Sequence, residues 1–133
     1  MKYLLDTHVV LWTIGQSKRL PQDVATAICD TDNDVFVSAV TFWEIAIKVR
    51  TGKLDIGDHK PWELPKRAVD MGLITVSLSP EEASSMGQLA EETYFDPFDR
   101  MLIWQAISRN LTLVSGDKEF SRFKKDGLKM FWI

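Results

Sequence analysis

Tyr3-Leu4-Leu5-Asp6-Thr7-His8 is the stretch on which the reading of the whole chain turns. A short apolar run stops at an acid and a hydroxyl, and Val9-Val10-Leu11-Trp12 then continues as a helix. Successive apolar residues suit a strand buried on both faces, as in a parallel sheet covered by helices. The pattern recurs along the chain. Val35 to Ser38, Leu73 to Leu78 and Leu111 to Ser115 read as further strands, and Leu128 to Trp132 as a candidate fifth. Helices are expected from Pro21, over Thr41 to Arg50, over Lys66 to Met71, and after the openings Ser79-Pro80-Glu81-Glu82 and Asp96-Pro97. Strands alternating with helices predict an α/β fold with a mostly parallel sheet of four to five strands, covered on both faces.

The 133 residues suffice for one domain, expected to run over 1–133, with no linker or internal repeat. A composition 45% hydrophobic and 26% charged is globular. No run of about 18 apolar residues signals a membrane span, and the start lacks the apolar core of a secretory leader. The single cysteine, Cys29, is expected as a small core residue, and with the missing leader it favours a reducing cytoplasm. A net charge of −3 and a pI near 5.3 argue against a broad basic face for nucleic acid. They leave open a nuclease whose acidic site is neutralised by metal. The segment Lys118 to Lys129 is locally basic through Arg122, Lys124 and Lys125, and reads as a solvated face or, alternatively, a phosphate-contacting edge.

Acids stand where the chain leaves the strands or enters the helices: Asp6, Glu44, Asp96 with Asp99, and Asp117. Each has a local explanation. Asp6 and Asp96 suit helix N-caps, Asp99 a first helical turn, Asp117 a turn, and Thr41-x-x-Glu44 fits a capping box. Taken together they point elsewhere, because the carboxyl ends of parallel strands share one rim, where ligands bind. Two carboxylates about 4 Å apart repel by roughly 4 kcal/mol at an effective dielectric of 20. A bound cation removes that repulsion, and an all-oxygen donor set selects Mg²⁺, with Mn²⁺ possible, over zinc. No Cys/His set has zinc spacing, and His8 reads as a helix-surface residue. The hydroxyls of Thr7, Ser38 and Ser115 either orient water or phosphate or serve as caps.

These segments in this order (Tyr3 to His8, Ser38 with Trp43-Glu44-Ile45, Asp96-Pro97-Phe98-Asp99-Arg100-Met101-Leu102, and Leu113 to Asp117) resemble a PIN domain, and more closely the VapC toxin ribonucleases of type II toxin–antitoxin pairs. The resemblance covers essentially the whole chain. It implies a three-layer α/β/α fold and hydrolysis of RNA phosphodiester bonds through a water bound to Mg²⁺ or Mn²⁺. Carried over by position, Asp6, Glu44, Asp99 and Asp117 fall on the family's catalytic, metal-binding acidic quartet, Asp6 and Asp99 being the firmest ligands. Ser115 falls where the family usually has a Thr or Ser near the site, and Thr7, Ser38, Ser115 and Arg100 are expected to position substrate or water. The resemblance also implies a homodimer and a small VapB-like antitoxin inserted in the active-site groove. Relatives often carry a His just before the D-P-F-D segment; Tyr94-Phe95 stand there instead. The alternatives are a housekeeping PIN nuclease in RNA processing without an antitoxin, and a non-catalytic metal-binding or interaction module. The five tryptophans are expected mostly in core or edge packing.

Overall fold

In the computed structural model, which describes residues 1–132, five strands form one all-parallel sheet. β1 (Lys2–Leu5), β2 (Asp34–Ser38), β3 (Ile74–Val76), β4 (Thr112–Val114) and β5 (Lys129–Phe131) lie in the order β3-β2-β1-β4-β5. α1 (Thr7–Gly15) and α2 (Gln22–Cys29) connect β1 to β2; α3 (Ala39–Arg50) and α4 (Leu64–Asp70) connect β2 to β3. α5 (Pro80–Ser85) and α6 (Pro97–Ser108) connect β3 to β4, and a 3-10 stretch, Lys118–Asp126, leads into β5. All five expected strands form. β3 and β4 are shorter than the apolar runs that announce them, because Leu73 and Leu111 only lead into the ladder.

The sheet is buried on both sides, as the continuous apolar runs require. Tyr3, Leu5, Val35, Val37 and Val114 face a layer that contributes Val9, Val10, Val24 and Ala68. Leu4 and Leu113 face the opposite layer, with Leu102, Ile103, Ala106, Phe120 and Phe123. Adjacent Leu4 and Leu5 are both 0% exposed although they point to opposite faces, so neither face of β1 meets water. Each such side chain contributes about 1.5–3 kcal/mol by burial. The three-layer α/β/α architecture follows.

One local expectation is corrected here. Cys29 is exposed, not a core residue; it closes a short helix that fully buries only Val24. The tryptophans mostly pack as expected: Trp12, Trp104 and Trp132 are partly buried, whereas Trp43 and Trp62 are exposed, at 58% and 77%.

The connections set where a site can form. The chain steps from β1 outward through β2 to β3, then returns across the sheet to place β4 on the other side of β1. Strand order therefore reverses between β1 and β4, and in open α/β sheets the crevice outside the carboxyl ends at such a reversal is where ligands bind. The register Leu5↔Val114 puts Asp6 and Ser115 side by side at that crevice.

Candidate active site

Asp6 leaves β1 with its backbone still on the ladder, its N–H donating to the Val114 carbonyl at 3.0 Å. Its side chain caps α1, accepting from Thr7 N–H at 2.7 Å, so the expected capping role is real. The second carboxylate oxygen accepts from Ser115 Oγ at 2.8 Å and lies 3.1 Å from His8 Nδ1. His8 Nε2 in turn accepts from Gly116 N–H at 3.2 Å, which selects the tautomer with its proton on Nδ1, facing Asp6. The imidazole packs edge-on against Trp12 and Trp132. His8 is thus tied into the crevice, which corrects its reading as a helix-surface residue.

Glu44 is no capping-box partner. α3 begins at Ala39 under a Ser38 cap, so Thr41 and Glu44 lie inside the helix, and Glu44 bonds side chains instead. Buried at 3% exposure, Glu44 accepts from Thr7 Oγ1 at 2.6 Å and from the Lys48 ammonium one turn along. That ion pair holds the Lys48 pKa above the usual lysine value, Asp96 and Asp99 adding their attraction against the cost of burial.

Asp96 caps α6, its Oδ1 accepting from Phe98 and Asp99 N–H, with Pro97 first in the helix. Asp99 then projects from the first turn into the crevice. Burial pushes its carboxyl up to about 7, the charges of Asp6, Asp96 and Glu44 adding to the rise and a hydrogen bond from Tyr94 opposing it. The Tyr94 hydroxyl donates to Asp99 Oδ2 at 2.6 Å and lies 3.5 Å from Asp117 Oδ2. Burial and those acids push the phenol upward, so it stays a donor. Asp117 caps the 3-10 stretch through Glu119 N–H, and its own N–H donates to Ser115 Oγ at 3.0 Å.

The four acids are therefore linked by short contacts, from Glu44 through Thr7 to Asp6, Ser115 and Asp117, and through Tyr94 to Asp99. They do not close on one point: among the described residues, no three acidic, histidine or cysteine side chains are set to hold a single ion. Thr7, Ser115, Tyr94 and Lys48 stand between them. The donor set nonetheless fits a hard cation, because Mg²⁺ is commonly held by one or two carboxylates with water filling the remaining positions. The Asp99 carboxyl, lifted first by burial and then by its acidic neighbours, is a charge that such an ion would favour.

Thr7 and Ser115 fall within the network, whereas Ser38 and Arg100 do not. Ser38 is fully buried, accepting from Val40 N–H at 3.0 Å and donating to Gln105 Oε1 at 2.5 Å, so it joins β2 to α6. Arg100 donates to the Glu91 and Tyr94 carbonyls at 2.8 and 2.7 Å. It fastens the loop that delivers Tyr94. The sequence reading missed Lys48 and the roles of Tyr94 and His8; only Lys48, four residues after Glu44, left a spacing signal.

A crevice at the strand-order reversal of a three-layer α/β/α sheet, rimmed by carboxylates from four segments, is the frame of the site. The PIN domain family model matches residues 3–126, and the chain belongs to that family. It is 27% identical over 115 residues to Ribonuclease VapC22 of Mycobacterium tuberculosis, the match covering 86% of each chain. Solved structures share the fold. DNA-bound VapBC from Salmonella typhimurium has a TM-score of 0.71 at 22% identity, covering 98% of this chain and 97% of that one. VapBC2 from Rickettsia felis, bound to a promoter DNA fragment, has 0.69 at 19%, covering 98% of both.

Proposed function

We propose that this protein is a metal-dependent endoribonuclease and the toxin of a type II toxin–antitoxin pair, acting in the cytoplasm. The observation that carries the reading is Asp99, a half-buried carboxyl whose charge is opposed by that burial and by Asp6, Asp96 and Glu44. Such an arrangement is costly without a cation. The likeness to a ribonuclease of the same family supports RNA as the substrate.

In this reading Asp6 and Asp99 hold Mg²⁺ or Mn²⁺, with Glu44 and Asp117 completing the set or orienting the attacking water. The ion supplies positive charge for the phosphoryl oxygens and acidifies water. Asp6 is fixed for this task by Thr7 N–H and Ser115, and Glu44 by Thr7 Oγ1. Asp117 is aligned by its own N–H on Ser115 Oγ.

The VapBC assemblies among the structural neighbours support a VapB-like antitoxin, which would enter the acidic groove. A homodimer is supported by apolar side chains beside that groove on α3 and α6. Trp43 and Ile47, one turn apart, are exposed, and Phe98 packs edge-on against Trp43 at 5.1 Å.

Incubation with total cellular RNA, with Mg²⁺ or with EDTA, followed by mapping of new 5′ ends, tests the proposal. Discrete ends that vanish with EDTA are expected. Ends that persist in EDTA, or none in Mg²⁺, would overturn it.

A further inference from the structure

An RNA phosphodiester entering this crevice brings negative charge to a site already crowded with it. Among the described residues, Lys48 is the only lysine or arginine that an ion pair ties to any of the four acids. Three other basic residues are committed elsewhere. Arg100 holds the carbonyls of Glu91 and Tyr94, Lys125 pairs with Glu91, and Arg122 with Glu119.

Lys48 differs from its partner in exposure. The Glu44 side chain is 4% exposed, while that of Lys48 is 37% exposed. The buried acid thus anchors a cation whose flexible stem reaches the open rim. A lysine ammonium is a compact charge with three rotatable donors, able to exchange one anionic oxygen for another. Glu44 keeps its Thr7 hydrogen bond on the other oxygen whether or not Lys48 stays.

Resting on the ribonuclease reading above, we propose that Lys48 is a phosphate-binding residue that changes partners. In the ion-free protein it neutralises Glu44. When a divalent ion takes over Glu44, the ammonium is released to a non-bridging oxygen of the RNA phosphate. Lys48 thereby competes with the ion and assists the substrate.

The two consequences have opposite signs, which a merely structural lysine would not produce. Mn²⁺ titrated calorimetrically into the RNA-free protein should bind Lys48→Met about five-fold tighter than wild type. Binding of a fluorescein-labelled single-stranded RNA oligomer, followed by anisotropy in Ca²⁺, should weaken in Lys48→Met, with a salt slope shallower by about 0.7. Lys48→Arg should keep the wild-type slope. Lys48→Gln repeats both measurements if circular dichroism shows the methionine variant unfolded. Unchanged or weaker Mn²⁺ affinity, or an unchanged slope, overturns the proposal. If wild type binds no RNA at any salt, the ribonuclease reading fails with its phosphate role, while the Mn²⁺ arm still decides whether Lys48 and an ion compete for Glu44.

Discussion

The Tyr94 hydroxyl, 2.6 Å from Asp99 Oδ2 and 3.5 Å from Asp117 Oδ2, joins an acid on α6 to one that follows β4. The Tyr94 ring is held edge-on by Phe120 and Phe123, and its carbonyl by Arg100. The phenol is therefore a fixed donor that counteracts the effect of burial on Asp99. In Tyr94→Phe the Asp99 carboxyl rises further. The acidic limb of the RNA cleavage profile should move to higher pH by about one to two pH units, since a hydrogen bond to a charged group contributes about 1.5–3 kcal/mol. A limb that stays in place would show that Asp99 ionisation does not govern the rate.

Asp99 also makes a statement about stability. Its folded-state value near 7 lies above its ordinary 3.8, so between those values the folded protein binds more protons than the unfolded chain. Its contribution to stability therefore falls as pH rises from about 4 to 7, and levels off above. In EDTA, Asp99→Asn should be more stable than wild type at pH 8 and lose that difference near pH 4. Mg²⁺ should raise the wild-type midpoint at pH 8 by mass action on the folded state. Differential scanning calorimetry across pH checks both; equal midpoints at pH 8 in EDTA would refute the first.

Asp6→Asn keeps a side-chain oxygen for the Thr7 amide but removes the charge. RNA cleavage should drop at least about a hundred-fold, and growth inhibition should disappear, with the circular dichroism spectrum unchanged. Wild-type cleavage by this variant would remove Asp6 from the chemistry.

Ser38 supplies the opposite control. Its hydroxyl caps α3 and bonds Gln105, so Ser38→Ala should cost about 1–3 kcal/mol in urea unfolding. Cleavage per folded molecule should be unaffected. A selective loss of rate would return Ser38 to the site.

Gly116 lies under Trp132, where an added Cβ would come within 2.9 Å of the indole. Gly116→Ala should destabilise the fold by about 1–3 kcal/mol and change tryptophan fluorescence, because Trp132 must move off the Ser115-Gly116-Asp117 turn. Unchanged fluorescence and stability would mean that the turn shifts freely.

The layers were legible because parallel strands covered on both faces must be continuously apolar, and Leu4-Leu5 and Leu113-Val114 are. Acids at the carboxyl ends of β1 and β4 follow from the same register. What stayed hidden depended on long-range packing. Thr41-x-x-Glu44 imitates a cap, but the true cap is Ser38, which the β2 ladder delivers three residues earlier. Tyr94 lies in an aperiodic loop, so nothing local shows that its hydroxyl reaches α6. Cys29 follows an apolar spacing, yet it falls on the last residue of a helix too short to carry that face into the core.

The reversal of strand order between β1 and β4 has a consequence in time. Asp6 can meet Ser115 only after the more than a hundred residues between them have been made, and only if the sheet has closed around them. A half-made chain holds its acids apart. The acidic cleft therefore has no partial form: it appears when the sheet closes β4 against β1.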